Sequence, residues 1–207
     1  MISWHDLFFA ATIILVLQLL WDVLKEIFIR EYAYKYIYKE AVMARESEDL
    51  GCDESTKRLR RLFEEVRTLF KLPQETILYL EEIKKLSPAA CMFSYHSSSV
   101  PIIRLDPKFA DCSDDEIKGT IAHEFGHFFM RKSIYQFLCH LFGFLIFPYL
   151  FAESSVDLFA AKVIGPSSVI SAVEMLIEKN KDVRHDWHWA TRKMFEWRIK
   201  RIKKITA

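Results

Sequence analysis

Residues 113–130 read SDDEIKGTIAHEFGHFFM, with His123-Glu124-Phe125-Gly126-His127 near their centre. Ser113, followed three residues later by Glu116, has the spacing of a capping box, which begins an α-helix. Apolar residues then recur with the spacing of one buried helical face, at Ile117, Ile121, Phe125 and Phe128. The five-residue stretch is therefore predicted to lie in mid-helix, on an element that packs against a core.

His123 and His127 are four residues apart, so their side chains lie on the same face of this helix. Their ring nitrogens can meet one tetrahedral zinc ion at roughly 2.0–2.1 Å. Glu124 lies between them and is placed to act as the general base that takes a proton from the attacking water. The spacing predicts one catalytic zinc per chain, with two of its ligands on this helix.

A catalytic zinc site needs a third protein ligand. The next acidic residue along the chain is Glu153, and Asp157 follows it by four residues. Residues 152–164 have the pattern of a helix that Gly165-Pro166 ends. Glu153 is therefore predicted to be the third metal ligand. Asp157 is predicted to accept a hydrogen bond from the free ring nitrogen of a ligand histidine, which orients that ring.

Residues 134–151, IYQFLCHLFGFLIFPYLF, contain no charged residue between the predicted ligands. A single membrane crossing there would separate His127 from Glu153 by a hydrocarbon core about 30 Å thick. Because both residues must contact one ion, the run is predicted to be a buried helix, a re-entrant loop or a surface that dips into lipid. His140 is interpreted as a core or interfacial residue, since the tetrahedral site is already full.

A second apolar run, LFFAATIILVLQLL, occupies residues 7–20 and reaches membrane-spanning length if it extends to Leu24 with Asp22 at the headgroups. The alternative is a helix that packs on a core or a partner. Basic residues follow this run and none precedes it, which predicts a membrane anchor with the catalytic part facing the cytoplasm. Localisation is thus expected at the membrane, as a single-pass or a peripheral protein.

The composition bounds the remaining possibilities. The chain has 207 residues, 51% of them hydrophobic, and a formal net charge of +1, so nucleic-acid binding is not expected. With 5 glycines and 6 prolines, a helix-rich fold is favoured. Short strands are predicted at residues 76–80, 91–95 and 100–105, the last two as an antiparallel hairpin. Four scattered cysteines without a C-x-x-C pair are predicted to be free thiols.

Residues 181–207 carry nine Lys or Arg residues against three Asp or Glu. Phe195, Ile199 and Ile202 form an apolar stripe, which predicts an amphipathic helix packed on the domain. Because tryptophans accompany the basic residues, binding to an anionic lipid surface is the alternative.

The motifs H-E-x-G-H at residues 123–127 and E-x-x-x-D at residues 153–157 together resemble those of the gluzincin metallopeptidases of the HtpX and CAAX-prenyl-protease clade, including the small minigluzincins. The similarity extends over roughly residues 76–202 and includes the pair Arg198-Ile199. It implies an α+β, helix-rich fold, with a small antiparallel sheet packed on an active-site helix and a glutamate helix. An N-terminal hydrophobic helix would be added to this fold.

Carried over to this chain, the resemblance implies a zinc-dependent endopeptidase whose zinc ligands and catalytic base are the residues named above. The chain is then divided into an anchor helix and connector, residues 1–45, and a metallopeptidase domain, residues 46–207. The expected partners are a peptide or protein substrate and the membrane, through the N-terminal helix, residues 134–151 and the basic C-terminal helix. A latent proenzyme, or a non-catalytic membrane adaptor that retains the fold, is the alternative.

Two expectations concern how substrate is held. Relatives carry a His-Pro pair where this chain has Thr191–Met194, so Arg192, His185 or His188 is expected to serve as the oxyanion or substrate contact. Residues 100–105 are expected to form an edge strand that aligns an extended peptide by β-augmentation.

Overall fold

The computed structural model describes residues 4–48, 53–82, 89–92, 100–130, 146–179 and 185–206. Within these ranges the fold is helix-rich α+β, as predicted. The elements in chain order are α1 (Trp4–Glu48), α2 (Glu54–Leu69), β1 (Ile77–Leu80), β2 (Ala89–Met92), β3 (Ile102–Leu105), a 3₁₀ turn (Pro107–Asp111), α3 (Asp114–Met130), α4 (Ile146–Ile164), α5 (Pro166–Lys179) and α6 (His185–Thr206).

The three strands form a mixed sheet in the order β1-β3-β2. β3 pairs antiparallel with β2, which confirms the predicted pairing, but it pairs parallel with β1, so a wholly antiparallel sheet was wrong. The expectation that residues 100–105 form an edge strand is also wrong, because β3 is bonded on both sides. Its composition fits a central position, since Ile102, Ile103 and Leu105 are all fully buried, on both faces of the strand.

The helix α3 lies at the centre of the fold and packs against α2, α4, α5 and β2. Two glycines allow its neighbours to approach closely. A Cβ on Gly119 would lie 2.0 Å from the backbone oxygen of Ser168, and one on Gly126 would lie 2.7 Å from Val156 Cγ1. These contacts bring α5 and α4 against positions about two turns apart on the helix that carries the histidines.

The helix α2 packs against α3 and contributes an apolar stripe to the core. Helical spacing would place Leu69 in this stripe, but Leu69 is exposed while the neighbouring Phe70 is buried. Phe70 instead packs its ring 5.5 Å from that of Phe125 on α3. The remaining core residues of α2 are Leu59, Leu62, Phe63 and Val66.

The helix α4 ends where predicted, because Gly165 adopts a φ of +96° and Pro166 begins α5. It begins earlier than predicted, at Ile146 rather than at residue 152. The end of the 134–151 apolar run therefore belongs to this helix. The rest of that run, including His140, lies outside the described residues.

The helix α1 is continuous from Trp4 to Glu48, so the predicted domain boundary at residues 45/46 falls in its last turn. Its C-terminal part packs on the sheet, where Ala41 is buried with Ile77 and Ile102. The Tyr34 hydroxyl donates a 2.9 Å hydrogen bond to the carbonyl of Val100. Within the ranges that the structure describes, none of the helices combines the length and apolarity that a membrane crossing requires.

Of the cysteines, Cys112 is the one whose side chain is described, and it is a free thiol, as predicted.

Candidate metal centre

The three predicted ligands meet at one point between α3 and α4. Nε2 of His123 and Nε2 of His127 are 3.1 Å apart. The Glu153 carboxylate places Oε2 at 3.2 Å from the first of these nitrogens and Oε1 at 3.5 Å from the second. All three ligand atoms lie within 4.8 Å of one another, so this group could hold a metal ion.

Asp157 is fully buried beneath this group and fixes the state of His123. Its Oδ1 lies 2.8 Å from His123 Nδ1. Since a carboxylate accepts hydrogen bonds, Nδ1 carries the proton and the lone pair of neutral His123 lies on Nε2. In the neutral ring Nε2 is therefore the atom available to a metal ion, whereas in the protonated ring Nε2 donates to Glu153 Oε2.

The nitrogen and oxygen atoms that meet here are arranged in a way that suits a bound cation. A lone pair on His123 Nε2 and a Glu153 carboxylate oxygen at 3.2 Å repel each other unless positive charge lies between them. Two imidazole nitrogens and one carboxylate are a ligand set found in catalytic zinc sites. Other divalent first-row metals accept the same ligands, so this group could hold a metal ion whose identity the ligand set leaves open.

The pKa values of the two histidines diverge. Burial by itself would lower the pKa of His123, but the hydrogen bonds with Asp157 and Glu153 raise it to about 10. Burial lowers the pKa of His127 below its ordinary value. The carboxylates thus favour a positive charge at His123, which a bound metal would supply in place of the proton.

Both carboxylates are held ionised despite their burial. Desolvation would raise the pKa of Glu153, but the hydrogen bond with His123 and the charges of His127 and Arg198 lower it to about 2. For Asp157, burial is likewise outweighed by the Arg198 guanidinium and by His123, and the pKa lies well below its usual range. Each group is therefore in the state that supports metal binding.

Arg198 is the site residue to which the sequence interpretation gave no role. It is 3% exposed, and its Nε and Nη2 lie 2.6 and 2.8 Å from the two oxygens of Asp157. Its Nη1 is 3.6 Å from Glu153 Oε2. A sequence signal existed, because Arg198 lies three residues after Phe195 and four before Ile202, on the buried face of α6. Ile199, predicted to belong to that face, is only partly buried.

The other predicted site residues are placed as follows. Glu124 is 9% exposed on α3, and its charge raises the pKa of His127, so it lies near the ligands. Arg192 is on the exposed side of α6, where its Nε is 3.1 Å from Glu196 Oε1. His185 and His188 belong to the first turns of α6, and their side chains lie outside the described residues.

No protein-family model matches this chain, and comparisons with curated proteins and with solved structures gave no match either. The functional argument therefore depends on the residues of the site and their geometry.

Proposed function

We propose that this protein is a membrane-associated, zinc-dependent endopeptidase. The observation that carries the proposal is the convergence of His123, His127 and Glu153, with Glu124 beside them on the same helix. Sites of two histidines and a glutamate from a second helix, with a glutamate next to the first histidine, suit hydrolysis of amide bonds.

In this proposal His123, His127 and Glu153 hold the zinc. When bound, zinc polarises the scissile carbonyl and lowers the pKa of the attacking water. Glu124 accepts the proton of that water and later delivers it to the leaving amine. Glu124 is nearly buried on α3 and directly follows His123 in the sequence. Asp157 keeps the His123 ring in position throughout.

Because β3 is a central strand, β2 rather than β3 is the strand proposed to align the substrate. β2 is an outer strand of the described sheet and packs against α3, the helix that carries the histidines. An extended peptide that adds to the outer side of β2 would therefore run beside this helix.

Association with a membrane is supported by the exposed apolar side chains of α1. Phe8, Ile14 and Leu20 are spaced by six residues and so lie about 120° apart around the helix axis. Their exposed fractions are 75%, 63% and 54%. A helix that packs on a protein partner is apolar on the side that it buries and polar on the other. A helix in lipid is surrounded by apolar chains, so apolar exposure on three sides of α1 favours lipid. Lys25 follows the run directly and suits an anionic headgroup region.

The direct test is Glu124→Gln, measured as zinc content and as cleavage of casein or an unstructured peptide. We expect one zinc per chain in both proteins and a loss of at least about 1,000-fold in kcat for the variant, because base and metal act as a unit. Glu174→Gln, at an exposed glutamate on α5, is the matched control and should cleave like the original protein. Undiminished turnover of zinc-replete Glu124→Gln would contradict the proposal.

A further inference from the structure

We propose that Arg198 is a positioning residue, which acts through Asp157 to hold the His123 ring in its metal-binding orientation. This inference deepens the proposed function and rests on it. The geometry that supports it is a chain of buried contacts from Arg198 to Asp157 and from Asp157 to His123.

The guanidinium fixes the rotation of the Asp157 carboxylate. Nε bonds to Oδ2 and Nη2 bonds to Oδ1, so the two parallel bonds of the planar fork determine where both oxygens lie. Oδ1 then accepts a second hydrogen bond, from His123 Nδ1. Without the fork the carboxylate could rotate about its own axis, and the ring that depends on it would lose its fixed orientation.

The same guanidinium also offsets the electrostatic repulsion between two carboxylates on α4. Glu153 and Asp157 are one helical turn apart, and both carboxylates are almost fully buried. Two like charges in that position repel, and Arg198 reaches both of them, with Nη1 3.6 Å from Glu153 Oε2. One buried cation thus lies within reach of both carboxylates.

The helix α6 holds Arg198 firmly. Phe195 and Ile202 are buried on either side of it, and its guanidinium lies 5.4 Å from the centre of the Phe195 ring. The position of the charge is therefore set by the packing of a helix that supplies none of the three metal ligands.

Charge and positioning predict opposite effects on metal affinity. If Arg198 acted only as a nearby positive charge, its removal would strengthen the binding of a dication. If it acts by orienting Asp157 and so His123, its removal weakens binding, as the loss of a group that supports a metal ligand does, by roughly 10–100-fold. The sign of the change separates the two roles.

The experiment measures Zn²⁺ affinity by competition with a chromophoric chelator, for the full chain and for Arg198→Gln and Arg198→Lys. Lysine keeps the charge but cannot make two parallel bonds, so both variants should bind Zn²⁺ roughly 10–100-fold more weakly. Arg201→Gln is the matched control, since this arginine lies on the same helix and its guanidinium lies over the Phe151 and Trp197 rings. The visible spectrum of the Co²⁺ form should change in both Arg198 variants and not in the control.

Unchanged or tighter Zn²⁺ binding by Arg198→Gln, or wild-type affinity of Arg198→Lys, would overturn the inference. Because Arg198→Gln leaves a buried carboxylate without its counterion, Asp157→Asn/Arg198→Gln is measured beside Asp157→Asn. If Arg198 acts through Asp157, the second substitution costs less than about twofold in affinity, and a full additional loss would speak against it. If the original chain binds no Zn²⁺, both this inference and the proposed function fail. If it binds Zn²⁺ and the Arg198 variants bind it equally tightly, only this inference fails.

Discussion

At the scale of single residues, Gly119 and Gly126 determine how closely the neighbouring helices approach α3. In an open helix, glycine to alanine would stabilise by about 1 kcal/mol. Here we expect Gly126→Ala to lower the free energy of unfolding by about 1–3 kcal/mol, because the new methyl group overlaps Val156 Cγ1. Gly119→Ala should be worse, since its clash is with the Ser168 backbone, which has no rotamer to change.

Chemical denaturation of the two variants measures both effects. The cause is tested by adding Val156→Ala to each glycine variant, because this substitution removes the methyl group that clashes in Gly126→Ala. It should recover part of the lost unfolding free energy in Gly126→Ala but none in Gly119→Ala. Equal stabilities of the two glycine variants would contradict this account of the packing.

Asp114, at the start of α3, provides a pH-dependent contribution to stability. Its carboxylate accepts a 2.8 Å hydrogen bond from Arg58 Nε, and this bond lowers its pKa below the ordinary value of 3.8. A carboxyl group with a lowered pKa in the folded state stabilises the fold above its unfolded pKa, and the contribution is lost as the pH falls through the folded value. Asp114 is partly exposed, so the effect is under about 1 kcal/mol.

The measurement compares urea unfolding of the original chain and Asp114→Asn at pH 7 and pH 3. The difference between the two proteins should be present at pH 7 and shrink at pH 3. Other carboxyl groups titrate in both proteins and cancel in this comparison. A difference that does not change with pH would show that the ion pair contributes nothing.

Residue patterns predicted that His123, His127, Glu153 and Asp157 lie together, because helical spacing turns four-residue intervals into shared faces. His123 and His127 share one such face, and Glu153 and Asp157 share another. The role of Arg198 could not be obtained in this way. It lies 41 residues beyond Asp157, and although its spacing from Phe195 and Ile202 places it on the buried face of α6, no sequence interval links it to Asp157.

At the scale of elements, the start of α3 depends on its capping box. The Ser113 backbone N–H donates to Glu116 Oε2 at 2.7 Å, and the Glu116 N–H lies 3.3 Å from Ser113 Oγ. We expect Ser113→Ala to lower the free energy of unfolding by about 1 kcal/mol. In a chain of this size that corresponds to a fall in Tm of about 2–4 °C.

Differential scanning calorimetry of Ser113→Ala checks this expectation. Ser171→Ala, in the interior of α5, is the matched control and should leave the Tm almost unchanged. A fall of similar size in both variants would mean that the cap contributes little.

The helices were predictable because their signals are local, as the capping residues of α3 and Gly165 at the end of α4 illustrate. The order and direction of the strands in the sheet were less predictable. The pairing of β2 with β3 joins neighbouring strands, whereas the parallel pairing of Ile77 with Ile102 joins strands that are not consecutive. Such long-range pairing depends on tertiary packing, and each strand has only four residues, which carry too little sequence pattern to specify its partner.

At the scale of the whole molecule, the proposed membrane association predicts how the protein partitions with lipid. Ile14→Arg places a charge in the middle of the exposed apolar run of α1, and a charge in hydrocarbon costs roughly 2.5–3.5 kcal/mol. We expect flotation of the full chain with liposomes to weaken roughly 100-fold. Met43→Arg, at an equally exposed position beyond the run, should float normally, and equal flotation of both variants would argue against lipid as the partner.

Because α1 is a continuous helix, it sets a fixed distance between its apolar run and the part that packs on the sheet. Along its axis about 15 Å separates Leu24, where the apolar run ends, from Tyr34, where the helix is bonded to the strand region. With α1 in lipid, as proposed, the helix would hold the site at a fixed height above the lipid surface, and peptide bonds at that height would be cut preferentially. Seven residues inserted after Leu24 would raise the site by about 10 Å with nearly the same facing. Cleavage of lipid-tethered peptides should then shift outward by that height, while cleavage of free peptides should not change.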